Sequence, residues 1–516
     1  MPGQLLPRTL ADELTTDLAG RAASPVSVIA PFTGEELYTL PHAAVEEVQD
    51  AARRAREAQR AWWAAGDAHR RAVLLKGHDL FLERRELLLD AVQSETGKTR
   101  GQAFEEVFNS AAATRYAALS ARRVLRTEAR RAGIPLVMRT RVRRAPKGLV
   151  GVITPWNYPL SLALMDIAPA LATGNGILQK ADDQGTLSVL LARRAFVDAG
   201  LPPELWQVVA GPGAEVGSAV VDAADYVCFT GSTATGRTVA QRAAGRLIGA
   251  SMELGGKNPL IVLDDVNPEK AAADAAYGCF SAAGQLCVSI ERIYVEKGVA
   301  DRFVPAFAER VKNLSLGTDF DFTADVGSLA TKAQLERVTA HLDDAVAKGA
   351  TVLAGGTARP DLGPFVVEPT VLTDVTSEMQ CFAGETFGPV VAVTVVENAD
   401  AAVAAANDTE YGLNASVMSG SRARARRVAA RLKAGSVNIN EGYRATFGSI
   451  DAPMGGVKQS GLGRRNGLDG LLRFTEATTV AEATGLLQLP RTGPEFARLV
   501  GVMVLTLTSL KAIRRR

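Results

Sequence analysis

Cysteine and histidine are scarce, four of each in 516 residues. Cys228, Cys279, Cys287 and Cys381 are scattered without metal-ligand spacing, and His42, His69, His78 and His341 form no cluster. That pattern excludes a disulfide framework and leaves no metal site expected. Charge imbalance is missing too: a formal net charge of +2 singles out no charged partner. The N-terminal stretch Met-Pro-Gly-Gln-Leu-Leu-Pro-Arg-Thr-Leu-Ala-Asp-Glu has neither the basic start nor the apolar core of a secretory signal. A reducing cytoplasm is therefore the expected compartment. Internal repeats and low-complexity segments are absent.

What is present is an ordinary balance of 47% hydrophobic and 22% charged residues, as in soluble globular enzymes. The length predicts roughly two to four domains. Residues 1–44 read as a loop-rich arm, followed by helices over 45–63 and 68–93, the second ending at Gly97. Nine arginines and one lysine fall between 121 and 147, with Arg139, Arg141 and Arg143 on one side of an alternating run. No aromatic residues interleave them, so the stretch reads as a solvated strand face and not as a nucleic-acid patch. From Val150 onward short apolar runs alternate with helical segments, which predicts a mostly parallel sheet with a ligand at the carboxyl ends of its strands. A second such stretch covers 260–441, and a Gly-rich loop follows at 453–464.

The chain is organised around Ser251 to Arg292. Glu253 stands beside Leu254-Gly255-Gly256, where small residues let backbones or a ligand approach closely. Cys287 follows a Gly-Gln turn and precedes a strand-like run. A carboxylate and a thiol beside two backbone bends suggest a general base and a nucleophile. Upstream, Phe229-Thr230-Gly231-Ser232-Thr233-Ala234-Thr235-Gly236 follows a strand and opens a helix, where free backbone N–H groups and the Ser232 hydroxyl can receive a pyrophosphate.

Glu253-Leu254-Gly255-Gly256-Lys257 and Gly284-Gln285-Leu286-Cys287, in register, resemble the active-site segment of the NAD(P)-dependent aldehyde dehydrogenase superfamily. Glu95-Thr96-Gly97-Lys98 and Glu385-Thr386-Phe387-Gly388-Pro389 resemble it as well, and the resemblance extends over nearly all of residues 25–490. Gly-Gln-Leu-Cys-Val-Ser-Ile-Glu-Arg (284–292), Asn438 to Tyr443 and Pro453-Met454-Gly455-Gly456 are most similar to bacterial succinate-semialdehyde dehydrogenases of an actinobacterial branch.

The resemblance implies an α/β fold: a Rossmann-type cofactor domain from 1–122 and 146–253, an α/β catalytic domain at 254–441, and a small β oligomerisation element from 123–145 and 470–490. Residues 442–469 would return to the cofactor domain, and 491–516 form an apolar, basic tail. It implies Cys287 as nucleophile, Glu253 as the base that hydrolyses the thioester, and the Asn157 amide as an oxyanion donor. Pro155, Trp156, Lys180, Asp182, Asp183, Gly231, Ser232, Leu254, Glu385 and Phe387 would bind NAD or NADP. Lys180 and Asp183 would take the adenosine ribose and Glu385 the nicotinamide ribose, with Phe387 packing near the nicotinamide. A carboxylate at Asp183 leans towards NAD, because it accepts from a free 2′-hydroxyl and repels a 2′-phosphate. Lys180-Ala181 departs from the family's Lys-Pro at this point.

The expected substrate is an aldehyde, succinate semialdehyde first. Arg292 matches one carboxylate-binding arginine of that branch. The position of the second is Met165, followed by Asp166, a poor carboxylate partner, so Arg444 is a substitute. Oxidation of hydrophobic aliphatic aldehydes at a membrane surface is the alternative. A Cys-dependent acyl hydrolase without redox chemistry would leave Lys180, Ser232 and Glu385 without a role, and no histidine adjoins the motifs to form a Cys–His dyad. A homodimer or homotetramer and no nucleic-acid partner are expected.

The tail resembles nothing in the common soluble members. Its apolar run Leu499–Leu510 is shorter than the roughly 20 residues that span a bilayer. Two readings stand: a helix docked on the protein or its oligomeric partner, or an interfacial anchor whose end, Lys511 and Arg514 to Arg516, meets anionic lipid.

Overall fold

The computed structural model describes residues 3–133, 137–486 and 489–512. Its first large sheet has six strands in the order Gly461–Leu462, Gly249–Glu253, Tyr226–Thr230, Leu149–Ile153, Gly176–Lys180 and Trp206–Val209. All pairings are parallel except that of Gly461–Leu462, which runs antiparallel along Gly249–Glu253. The strands Leu149–Ile153 and Gly176–Lys180 are buried along their whole length, as the near-continuous apolar runs of a two-side-covered parallel sheet require. The chain order reverses on either side of Leu149–Ile153, which creates a crevice at the strand ends.

The second sheet has seven strands in the order Thr351–Ala354, Thr370–Thr373, Val390–Val396, Ile290–Glu296, Asn258–Val262, Asn414–Met418 and Ser436–Ile439. Only Thr351–Ala354 is antiparallel to its neighbour. A three-stranded sheet pairs Thr475–Ala483 with Met138–Pro146, in the register Arg139↔Glu482 to Arg143↔Thr478. This is the strand partner expected from the C-terminal region, and Arg139, Arg141 and Arg143 all face outward.

Two expectations fail locally. The supposed loop-rich arm contains a helix, Arg8–Thr15, and a hairpin, Ala23–Ile29 with Glu36–His42. Its turn is closed by Gly34 at φ +73°, a conformation glycine adopts without a steric penalty. The single helix over 68–93 is instead two, Gly66–Glu83 and Arg85–Thr96, because Arg84 leaves helical geometry at φ −90°, ψ 14°. Gly97 does stop the second, at φ +72°.

The helix Pro159–Ala172 is buried on every face, between the first sheet and the helix Arg100–Leu125. Each Leu or Ile that it hides contributes on the order of 1.5–3 kcal/mol. The same burial encloses Asp166, a charge that demands partners.

Candidate active site

Five segments deliver the site, three from strand ends of the first sheet and two, the Cys287 turn and the Glu385 loop, that lead into strands of the second. Leu149–Ile153 runs out into Pro155, Trp156 and Asn157, and Pro159 then starts the next helix at a position that tolerates its missing N–H. Asn157 is buried and donates its amide to the carbonyl of Gln285 at 2.9 Å. Its own carbonyl accepts from Lys98 Nζ at 2.6 Å. Lys98, buried 3.7 Å from the Tyr158 ring centroid, is ion-paired with Glu106. Glu106 also caps the helix start, accepting from the Leu160 and Ser161 N–H groups at 2.9 and 3.2 Å. The sequence offers Lys98 only as the end of the Glu95-Thr96-Gly97-Lys98 motif, with no sign of this hold on Asn157.

Tyr226–Thr230 ends in Gly231 and Ser232, and Ser232 caps the helix Thr233–Gly245 by accepting from Thr235 N at 3.2 Å. Gly249–Glu253 ends in the buried Glu253, whose Oε1 has no hydrogen-bond partner. Burial pushes this carboxyl up to about 7, Asp166 adds to the rise, and Arg465, Arg473 and Arg464 oppose it.

Cys287 follows a tight turn, Ser281–Gly284, in which Ala282 and Ala283 hold φ of 51° and 52°. Non-glycine residues in that region store strain, a feature that gathers at functional sites. At Gly284, φ +73°, a Cβ would lie 2.1 Å from the Gly388 carbonyl, so only glycine fits. Gly256 also permits a close approach, since a Cβ there would lie 2.7 Å from the Cys287 carbonyl. Asn258 Nδ2 fixes that carbonyl at 2.8 Å. The Cys287 side chain is partly exposed in the cleft. Burial, then the carboxylates of Glu253 and Glu385, push its thiol up to about 12. The cleft therefore holds a protonated thiol until a base or an oxyanion donor acts on it.

Glu385 Oε1 accepts from Gly256 N at 2.7 Å, and burial, with Glu291 adding, pushes its carboxyl up to about 7. Its loop is tied down by Glu291, which accepts from Thr386 N and Phe387 N at 2.9 Å each and is ion-paired with buried Lys257. Phe387 meets Trp156 edge to face at 5.7 Å between centroids. His341 reaches this loop through Thr386 Oγ1 at 3.1 Å, a neighbour that sequence distance concealed. Among the described residues no histidine hydrogen-bonds Cys287.

One cleft of about 700 Å³ gathers Pro155, Trp156, Asn157, Gly231, Ser232, Glu253, Leu254, Cys287, Glu385 and Phe387 on its walls. Lys180, Asp182 and Asp183 are not on those walls; they stand one strand further along, at the end of Gly176–Lys180. Burial raises the Asp182 carboxyl, Lys180 opposing, and Asp183 lies 3.2 Å from His42 Nε2. Behind Cys287 an apolar wall is built from Tyr158, Leu162, Met165, Leu286, Val288, Tyr443 and Phe447. At its edge Glu105 accepts from the hydroxyls of Tyr277 and Tyr443.

Arg292 must be withdrawn as a substrate residue. It is buried away from the cleft and donates to the carbonyls of Lys257, Ala405 and Ala406 and to the Tyr294 hydroxyl. Arg444 stands at the edge of the apolar wall, 3.9 Å from the Tyr277 ring centroid and paired with Glu441 at 2.9 Å.

A family model described as the aldehyde dehydrogenase family matches residues 19–480. A protein of Mycolicibacterium smegmatis named putative succinate-semialdehyde dehydrogenase [NADP(+)] is 50% identical over 465 residues, 90% of each chain. The solved structure of a betaine aldehyde dehydrogenase from Staphylococcus aureus in complex with NAD+ superposes with a TM-score of 0.87 at 32% identity, covering 92% of this chain and 95% of that one. An E. coli NADP-dependent enzyme superposes with a TM-score of 0.86 at 31% identity, covering 90% and 96%.

Proposed function

The chain belongs to the aldehyde dehydrogenase family, and from that premise we propose that it oxidises succinate semialdehyde to succinate with NAD or NADP. The observation that carries the chemistry is the cleft itself: thiol, unpartnered carboxyl and oxyanion amide on the walls of one cavity that continues to the start of the helix Thr233–Gly245. That helix start, the Glu385 carboxyl and the Trp156–Phe387 walls fit a dinucleotide, with Lys180 and Asp183 at its ribose end. When bound, the nicotinamide supplies a hydride acceptor.

Cys287 Sγ gives up its proton to solvent and bonds to the aldehyde carbon as the C=O π pair moves onto oxygen, and the charge that gathers there is met by the Asn157 amide and the Cys287 N–H. Loss of hydride from that carbon leaves an acyl thioester on Cys287. Glu253 then takes a proton from water, the water oxygen bonds to the thioester carbon, the C–S bond breaks, and the acid departs.

The succinate-semialdehyde reading rests on the relatives' name. With Arg292 committed to carbonyls, Arg444 is the one of the two expected arginines left to meet the distal carboxylate, and it would do so by giving up Glu441. The apolar wall favours an uncharged medium-chain aldehyde as the competitor. A panel comparing kcat/KM for succinate semialdehyde and for such aldehydes tests the reading, and higher values for the uncharged ones would overturn it. The outer edge of Thr475–Ala483, unpaired among the described residues, is the surface through which a homodimer or homotetramer would form.

The tail forms one helix, Gly493–Ala512, with no buried residue, so it does not dock on its own chain. At 20 residues it is longer than the apolar run alone, and by length and composition it could cross a membrane. Thr506 and Thr508 bond back to the Val502 and Val504 carbonyls, which hides their hydroxyls from an apolar medium. These features support a peripheral contact with anionic lipid; Arg514 to Arg516 lie outside the described residues. Co-sedimentation of the full chain and of residues 1–490 with anionic vesicles tests it, and equal, negligible binding would remove the idea.

A further inference from the structure

The Gly-rich loop at 453–464 runs directly into Arg465, which the catalytic scheme leaves unused. Arg465 is 1% exposed and grips Asp166 with two bonds, Nε to Oδ1 at 2.9 Å and Nη2 to Oδ2 at 2.6 Å. Asp166, equally buried, also accepts from Arg473. Arg473 continues to Ser251 Oγ at 2.8 Å, and Ser251 reaches Cys228 Sγ at 3.6 Å. Two guanidiniums on one carboxylate leave a buried positive charge unmatched.

The geometry aims that excess at Glu253. Arg465 Nη2 donates to Thr230 Oγ1 at 2.8 Å, and Thr230 pairs with Glu253 across adjacent strands. The Arg465 backbone exchanges hydrogen bonds with Met454 at 2.6 and 2.7 Å. The next residue, Gly455, lies against Glu253: a Cβ there would be 3.0 Å from Oε1. Glu253 Oε1 itself has no hydrogen-bond partner, and among the described residues no cation lies within ion-pair distance of this carboxyl.

We propose that Arg465, clamped by Asp166 and Thr230, is a positioning residue that keeps the Glu253 base chargeable inside an apolar cleft without ever touching it. Contact would bind the carboxylate and take its basicity away; distance, with part of the charge cancelled by Asp166, preserves it. The other charged or titratable groups facing Glu253 are Arg464, Arg473, Cys287 and Glu385, the last two across the cleft. Burial raises the Glu253 carboxyl and Arg465 is the first group to oppose the rise, in accord with this arrangement.

The inference rests on Glu253 being the base that frees the acid, so the test reads wild type and Glu253→Gln first. In the full-length protein, steady-state turnover under thioester-limited conditions is followed from pH 5 to 9, with the rapid first turnover as an internal control. If Glu253→Gln keeps the acid limb of the wild-type profile, the base assignment fails, separately from this inference. Given a limb that belongs to Glu253, Arg465→Met should move it up by about one pH unit, roughly a tenfold loss at pH 6. Asp166→Asn, which uncovers the positive charge, should move it down. Arg465→Lys keeps the charge and should hold the limb near wild type at reduced kcat. Arg473→Met leaves the Asp166–Arg465 clamp whole and should shift the limb upward even if Arg465→Met does not fold. A limb that stays fixed in the folded variants, or moves the same way for Asp166→Asn as for the arginine variants, would overturn the proposal and leave the cluster a structural one.

Discussion

Replacing Glu253 by Gln should separate the two halves of the reaction. The substitution is nearly isosteric, and because Oε1 of Glu253 has no hydrogen-bond partner it breaks few contacts, so the fold should be little affected. The base works only as a carboxylate. Its carboxyl is raised from the usual range to about 7, so wild-type thioester hydrolysis should climb with pH and level off above 7. At pH 6 about a tenth of Glu253 is ionised and at pH 5 about a hundredth, which sets a slope of roughly tenfold per unit. In Glu253→Gln that limb should vanish and the plateau fall by about 10²- to 10⁴-fold, the usual worth of a placed general base. At 1.36 kcal/mol per tenfold this is about 3–5 kcal/mol of lost transition-state stabilisation. The first turnover should survive, since Cys287 and Asn157 are untouched. It should even gain at neutral pH, because the Glu253 charge is one of the causes that push the thiol up. Rapid mixing, following reduced nicotinamide, should show a full-amplitude burst and then slow turnover, and iodoacetamide should alkylate the variant faster than wild type. Loss of burst and steady state in equal proportion would refute the assignment.

Three other outcomes follow from the same geometry. Cys287→Ala should abolish turnover while NAD or NADP titration by fluorescence stays unchanged, since only the nucleophile is removed. Asp183→Ala should raise the NADP-to-NAD ratio of kcat/KM by about tenfold, or 1.4 kcal/mol, if its carboxylate faces the ribose 2′ position; an unchanged ratio would mean that its contact with His42 holds it away. Lys98→Met leaves Glu106 buried without its cation and should cost about 3–5 kcal/mol of stability, read as a lower Tm, with kcat falling further as Asn157 loosens.

What could be read from the sequence was whatever sits on a strand end or a required glycine. Glu253, Cys287, Gly231 and Ser232 each lie within a few residues of a parallel strand or its following turn, and the α/β alternation alone predicts that a ligand gathers there. Gly256 announces a close approach by its lack of a side chain. Side-chain destinations were not legible. Arg292 occupies the right distance from Cys287 for a substrate arginine, yet only the fold shows its guanidinium spent on three carbonyls and a tyrosine. The hairpin in the first 44 residues was hidden because it is short and rich in Pro and Gly, and the Arg84 break because one residue of altered ψ leaves helical periodicity almost intact.

The least legible feature is also the most systematic. Asp166 was read only as a poor partner for a substrate carboxylate, and nothing local showed that it anchors two arginines some 300 residues away. Glu106 and Glu291 have the same character. Each of these three carboxylates is buried and ion-paired, and each pair stands behind one working group: Lys98–Glu106 behind Asn157, Arg465–Asp166 behind Glu253, and Lys257–Glu291 behind the loop of Glu385 and Phe387. Burying an ion pair costs several kcal/mol in desolvation and often stabilises no better than an apolar substitute. Stability alone is therefore a poor reason for having three. Their bonds run instead to backbone positions that fix where a catalytic or cofactor-facing atom lies: the Asn157 carbonyl, the Thr386 and Phe387 amides, the strand beside Glu253. A directional charged anchor resists sliding where an apolar contact does not, and a cleft that must align thiol, base and hydride acceptor gains more from that fixed placement than it loses in desolvation.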